Sequence, residues 1–318
     1  MTIELASDDI RVEIDPGRGA DILALVDRRT GVDVLFRTPW RDRADAVRAG
    51  QPPSTTNATA GWLEGYRGGW QTLCPVAGDP AVVHGAPVSF HGEASVVPWT
   101  VDVSGADTAR LHVDLFSVPL RIERAVALEG PRLTVTDTLI NLSSVELRID
   151  YVQHPAFGGP FLEGDCVLDT GARMFVNDPA HDPLFASGQV IAWPMATAID
   201  GSQVDLRKIP ARGEARELFG WLEDFTGHWA SITNRDIGLS VRVDWDGEHL
   251  PFAWLWQELE STPTFPWYRR ARAVAIEPAS VPTGGADRSS AVAVPASGRL
   301  RIGTSITLDH HIPGGTHA

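Results

Sequence analysis

Hydrophobic and polar residues alternate with a period of two over long stretches of this chain, which is the pattern of a half-buried β-strand. Across residues 121–128, Ile122, Val126 and Leu128 share one face while Arg121 and Glu123 occupy the other. Glu129, Gly130 and Pro131 then supply a turn, and Leu133, Val135 and Leu139 alternate with Thr134, Thr136 and Thr138. That combination predicts a hairpin with one apolar face. Residues 231–245 repeat it: Ile232 leads into Asn234, Arg235 and Asp236, after which Leu239, Val241, Val243 and Trp245 alternate with Ser240, Arg242 and Asp244. Residues 10–14, 22–26 and 300–308 read as further strands. The helical period is scarce, and only residues 42–49, ended by Gly50, predict a short helix. The 30 glycines and 23 prolines are spread as turn punctuation rather than gathered in a linker. Residues 178–183 and 283–290 are expected to be loops, and 310–318 a disordered tail. No internal repeat is visible, so residues 1–309 predict a single all-β domain of large antiparallel sheets with few short helices.

Composition narrows the function classes. At 318 residues the chain can bury a sizeable core, and its formal charge of −14 gives no attraction to nucleic acid or an anionic membrane. No run approaches the roughly 18 apolar residues of a membrane span. The first residues lack a basic and an apolar signal region, so a cytoplasmic location is expected. Cys74 and Cys166 are too few for a disulfide framework or a structural zinc site and read as reduced core residues. GxSxG, HExxH, GxxxxGK[ST] and GxGxxG motifs are all missing.

What remains is a set of isolated charges in aromatic, strand-like surroundings: Arg67 in GYRGGW, His91 in FHGE, His154 in VQHPAFGG and Glu277 in VAIEPAS. One acid, two imidazoles and a guanidinium are what proton shuttling at a neutral polyhydroxylated molecule needs. Tryptophans cluster around them: Trp62 and Trp70 flank Arg67, Trp99 follows FHGE, and Trp254, Trp256 and Trp267 precede Glu277. Each Trp alone would more often be core; together they suggest a pocket wall on which sugar rings pack, with the Asp, Glu, Gln and Arg side chains near them binding hydroxyls. His91 and Glu93, two apart on a strand, could instead ligate a metal, but no further ligand pair joins them, so no metal is expected. His154 could be a turn histidine, Glu277 a surface acid, and Arg67 the partner of a core carboxylate.

These segments resemble the aldose 1-epimerase (galactose mutarotase-like) family along essentially the whole chain. The matching stretches are Asp15 to Ala20, Arg67 to Pro75, Phe90 to Glu93 before Pro98 and Trp99, Gln153 to Phe157, Phe252 to Glu258 and Ala275 to Pro278. The resemblance implies a β-supersandwich and an enzyme that interconverts the α and β anomers of a sugar by opening and reclosing its ring, without a cofactor, as a monomer or homodimer. It puts Glu277 at the base, His154 at the acid, and His91 and Arg67 at substrate-orienting positions. It also implies a hydroxyl-binding aspartate between His154 and Glu277, for which Asp200, Asp205 and Asp224 come into question. Trp70, Glu93, Trp256, Gln257 and Asp224 complete the expected substrate-binding set. The departures are His154-Pro-Ala-Phe157 where the family carries His-x-Tyr-Phe, and an RGGW segment closer to the hexose-6-phosphate mutarotase branch. A non-catalytic sugar-binding or regulatory protein, or another carbohydrate isomerase or lyase on this scaffold, are the alternative readings.

Overall fold

Fourteen elements suffice to build the site: strands β1 (Ile10–Asp15) and β2 (Asp21–Asp27), helices α1 (Arg41–Arg48) and α2 (Ala58–Glu64), then β3 (Trp70–Leu73), β4 (Leu120–Glu129), β5 (Arg132–Asn141), β6 (Val152–Gly158), β7 (Cys166–Asn177), β8 (Arg216–Asn234), β9 (Leu239–Trp245), β10 (Phe252–Leu259), β11 (Arg272–Ala279) and β12 (Arg299–His310). They come from a computed structural model that describes residues 2–180, 184–284 and 291–311. Among the described residues 17 strands join in one hydrogen-bonded network, and three short two-stranded sheets stand beside it. No described helix is long and apolar enough to cross a membrane.

The two hairpins expected from the alternation are present. Glu129 and Arg132 close the β4–β5 turn around Gly130 and Pro131, and Ile122, Val126, Leu128, Leu133, Val135 and Leu139 all face the core. The β8–β9 hairpin puts Leu239, Val241, Val243 and Trp245 inside. The short helix lies one residue from its expected place, at Arg41–Arg48. A second helix, α2, has no clear periodic signal; Asn57 caps it by accepting from the Ala60 amide at 2.9 Å, and Gly65 ends it. The last strand runs one residue into the expected tail: His310 pairs with Leu239, and its Nε2 lies 3.0 Å from Asp27 Oδ1. Residues 312–318, with 181–183 and 285–290 of the two expected loops, lie outside the described residues.

Two antiparallel ladders meet on β8, which is 19 residues long. Its first part, from Arg216 to Leu222, pairs with β10, and the ladder continues through β11 and β6 to β3. Its last part, from Trp229 to Asn234, pairs with β9, and that ladder continues through β12, β5 and β4. The hairpin strands keep one solvated face. The site strands β6 and β11 are buried at every position, so both faces are covered.

One charged pair sits inside the core. Arg124 on β4 lies directly opposite Asp137 on β5, and both are essentially inaccessible. Arg124 donates to both carboxylate oxygens, at 2.9 and 2.6 Å, and to Thr72 Oγ1. Burial works against the guanidinium charge, but Asp137 holds it protonated. Tyr151 donates to Asp137 Oδ2 at 2.5 Å, Gln153 Nε2 donates to Tyr151, and Trp70 Nε1 donates to Gln153 Oε1 at 2.5 Å. This network braces β3 and β6 from beneath.

Candidate active site

The register of the site ladder decides which side chains meet. Gln71 pairs with His154, Val152 with Ala279 and Ala156 with Ala275, so His154 stands across from Glu277, which pairs with Trp254, which pairs with Trp221. Directly opposed residues share a face and lie within about 5.5 Å. His154 Nε2 is accordingly 3.5 Å from Glu277 Oε1. Around this pair the same face carries Ala156, Ala273, Ala275 and Ala279. Small side chains on the floor leave room, and large ones stand at the edge: a cleft of about 430 Å³ is walled by Trp62, Tyr66, Phe90, Phe219, Trp256 and Trp267, with Trp254 beside Glu277. Trp62 stacks on Tyr66 at 4.9 Å, and Trp256 lies 5.3 Å from Trp267.

Burial sets the protonation chemistry. Glu277 is held well above the usual carboxylate range because its charged form is desolvated. The same cause lowers His154 to about 4. Tyr66 is raised well above its ordinary value by burial and by nearby Glu277, so it stays a phenol. Glu277 Oε2, His154 Nδ1 and Tyr66 Oη are all buried without a hydrogen-bond partner. Buried polar atoms are ordinarily paired, and these three, gathered around one cleft, are free to bond polar atoms of a bound molecule.

Of the expected site residues, His91, His154, Glu277 and Trp256 come together in the cleft. Five others do not line it. Arg67 Nε lies 2.9 Å from Asp45 Oδ1 on α1, a half-exposed carboxylate and not the core carboxylate of its alternative reading. Trp70 is only 1% exposed and belongs to the core, where Gln153 takes its indole N–H. Glu93 is occupied by the amides of Phe116 and Ser117 and the Ser117 hydroxyl, at 2.6 to 2.8 Å, so it fastens a loop. Gln257 faces away from the cleft because side chains alternate along β10; it accepts from Arg216 Nε at 2.7 Å. Asp224 is on the surface in a two-pronged pair with Arg173.

The aspartate that does reach the cleft between His154 and Glu277 is Asp178, at the end of β7. It is 4% exposed and accepts from the Ala180 amide at 2.8 Å and from Thr283 Oγ1 at 2.9 Å. Its position in an expected loop hid it; an Asx turn reading of Asp178 to Ala180 was the available signal. Tyr66 and Phe219 were also missed. Tyr66 adjoins the arginine segment that drew attention, and Phe219 lies on the long strand whose first half escaped the periodic reading. Among the described residues, the group spaced to hold a cation is Asp246, Glu248 and His249, on the β9–β10 turn and outside the cleft lining.

The ladder order, the cleft at the centre of one sheet and the all-β composition define a protein of the galactose mutarotase-like fold. Solved structures agree across nearly the full length. The Slr1438 protein of Synechocystis sp. PCC 6803 superposes with a TM-score of 0.71 at 18% identity, covering 98% of this chain and 96% of its own. A galactose mutarotase related enzyme from Lactobacillus acidophilus gives 0.65 at 15%, covering 98% of each chain. The GalM/aldose epimerase homologue from C. elegans gives 0.65 at 14%, covering 98% of this chain and 99% of its own. No curated protein matches the chain. Within that fold, residues 1–294 match the model of DUF4432, a domain of unknown function, and the chain belongs to that family.

Proposed function

We propose that this protein is an aldose 1-epimerase-like isomerase that exchanges the anomers of a sugar bound in the cleft. The observation that carries the proposal is the buried His154–Glu277 pair, 3.5 Å apart and facing an aromatic cleft with unpaired polar atoms around it. An acid and a base on adjacent strands can reach two oxygens of one small ring. The indole and phenol rings supply flat surfaces for the C–H faces of a pyranose.

The step balances with one proton shared by the pair. The Glu277 carboxylate takes the proton of the anomeric hydroxyl, the electrons of that O–H bond become the second bond of a C1–O1 carbonyl, and the C1–O5 bond breaks. The electrons of that bond go to O5, which takes a proton from the His154 imidazolium. Rotation about C1–C2 and the reverse steps give the other anomer and restore both groups. Burial favours the uncharged arrangement, a protonated carboxyl beside a neutral imidazole, which has the same proton count. The ion-paired form is therefore reached by a transfer across 3.5 Å without exchange with solvent. Asp178, braced by Thr283, is the candidate for binding sugar hydroxyls in place of Asp224.

The pH profile follows from the proton count. Activity requires exactly one proton on the pair. It is lost at low pH when His154 gains a second proton, near about 4, because burial lowers its folded-state pKa to that value. It is lost at high pH when Glu277 releases the shared proton, above the ordinary carboxylate range because burial raises it. The acid limb of the expected kcat/KM profile therefore lies near pH 4, well below the usual histidine value of about 6.5. An acid limb centred on pH 6.5 would show that His154 is not the buried partner.

The direct test is exchange between anomers, followed by polarimetry or NMR, for sugars selected by thermal shift from a panel of free and phosphorylated aldoses. A sugar at about 100 times its Kd should stabilise the fold by roughly 2.7 kcal/mol. Stabilisation without exchange would assign the cleft to a sugar-binding protein instead.

A further inference from the structure

The two cleft histidines differ in one respect that the residue types do not reveal. The Gly78 amide points at His91 Nδ1, 3.0 Å away. A backbone N–H can only donate, so Nδ1 must present its lone pair, and the proton of the neutral ring must sit on Nε2. Protonating Nδ1 would set two N–H groups against each other. For His154 no such constraint exists: Nδ1 is buried without a partner, and Nε2 faces the Glu277 carboxyl at 3.5 Å.

We propose that Gly78 is a positioning residue that locks His91 as the Nε2–H tautomer, which makes His91 a fixed hydrogen-bond donor to a substrate oxygen and leaves His154 as the one of the two histidines that exchanges protons. The consequence for anomer exchange rests on the function proposed above; the lock itself does not. A donor of fixed tautomer suits an oxygen whose negative charge rises and falls during the reaction, as O1 does when it becomes a carbonyl and O5 does when the ring opens. It cannot act as a base.

The surroundings hold this arrangement from several sides. The His91 amide donates back to the Gly78 carbonyl at 3.0 Å, so the two residues are clamped by a reciprocal pair of bonds. His91 itself has a left-handed φ of 60°, uncommon for a residue with a side chain, and Gly92 follows at 77°. The His91 carbonyl accepts from Ser95 Oγ, which in turn accepts from Trp62 Nε1 at 3.0 Å. The imidazole is packed between Phe90, 3.8 Å between ring centres, and the edge of Trp62, at 4.5 Å. Burial and the neighbouring His154 both hold His91 well below its usual pKa, in keeping with a ring that stays neutral.

Gly78 is itself irreplaceable for a steric reason. Its φ is +76°, and a Cβ there would fall 2.4 Å from Gly284 Cα and 2.8 Å from the Gly284 oxygen. The Asp79 amide donates to that same oxygen at 3.1 Å. Two glycine backbones in contact thus set the depth at which the Gly78 N–H meets His91, and this contact forms one rim of the cleft.

The experiment is long-range ¹H–¹⁵N NMR of the full chain labelled in histidine, at pH 7, with the His91 signals assigned by their loss in His91→Asn. The expected result is a neutral His91 with pyridine-like Nδ1 and protonated Nε2. A protonated Nδ1, or an imidazolium, overturns the lock whatever the protein's activity. The functional half is read from paired variants. His91→Gln can place an amide N–H near the Nε2 position, whereas His91→Asn reaches only the Nδ1 position. Loss of one donor to a developing oxyanion typically lowers the rate by about 100-fold or more, so His91→Asn should show that loss and His91→Gln should recover roughly a tenth or more of wild-type kcat/KM. Equal losses in both variants overturn the donor role while leaving the tautomer result standing. A locked His91 in a protein that exchanges no sugar anomers refutes the proposed function and not the lock.

Discussion

Glu277→Gln and His154→Asn should each lower the rate of anomer exchange by at least ~100-fold, the scale of general acid–base catalysis. Both changes keep the side chain's approximate shape and some hydrogen-bonding capacity but remove proton transfer. Sugar binding should survive in both, because the aromatic walls are untouched. In the double variant the losses should fall well short of multiplying, since an acid and a base that share one proton act as a unit. The Glu277→Gln protein should also melt higher than wild type at pH 7, by roughly 2 °C or more. The sign follows from linkage. A carboxyl whose folded-state pKa is raised binds more protons folded than unfolded between the two values, so it lowers stability as pH rises through that window. Replacing it by a neutral amide removes the penalty. Wild-type turnover in Glu277→Gln, measured by polarimetry with a sugar that binds, would mean that the base is elsewhere. Glu93 and Glu258, the other glutamates of the segments that match the family, are both already engaged by hydrogen bonds at other points of the fold.

The largest stability effect is expected at the core pair beneath the site. Asp137→Ala leaves the Arg124 guanidinium buried without its carboxylate, and breaking such a pair usually costs about 3–5 kcal/mol. Urea denaturation should show the midpoint falling at nearly constant slope. Replacing both residues by leucine should recover much of the loss, because the desolvation cost of two charges disappears along with their attraction. The recovery will be incomplete, since Tyr151 and Thr72 also lose partners in the network. A loss below about 1 kcal/mol for Asp137→Ala would contradict the burial of the pair. Activity should suffer too in the single variant, because Tyr151, Gln153 and Trp70 carry the network to the strand that holds His154.

Much of the fold was legible in the chain wherever one strand face meets water. The β4–β5 and β8–β9 hairpins alternate because the solvated face must be polar and the buried face apolar, and turn residues mark their ends. Strands β6 and β11 carry no such alternation, since both of their faces are covered. They were found through the isolated His154 and Glu277 and the family resemblance. Helix α2 was missed because a single turn or two held by a cap needs no long apolar stripe. Arg124 reads as one more charge in a strand of alternating residues, and only its position directly across from Asp137 reveals the pair.

For the site, the sequence by itself determined the chemistry available: an acid, two imidazoles and a surplus of indoles, each beside turn or aromatic residues. Which of them share a cleft was decided by the tertiary structure, through register and side-chain alternation. A register that sets His154 across from Glu277 brings together residues 123 positions apart, a distance over which local sequence carries no information. The strict alternation along β10 sends Trp256 into the cleft and Gln257 to the opposite face, though the two are neighbours in the chain. Arg67 was separated from the site by a carboxylate on α1, and Asp178 was brought to it by the end of β7. The tautomer of His91 depends on a backbone amide 13 residues away, a contact made by folding and by no side chain.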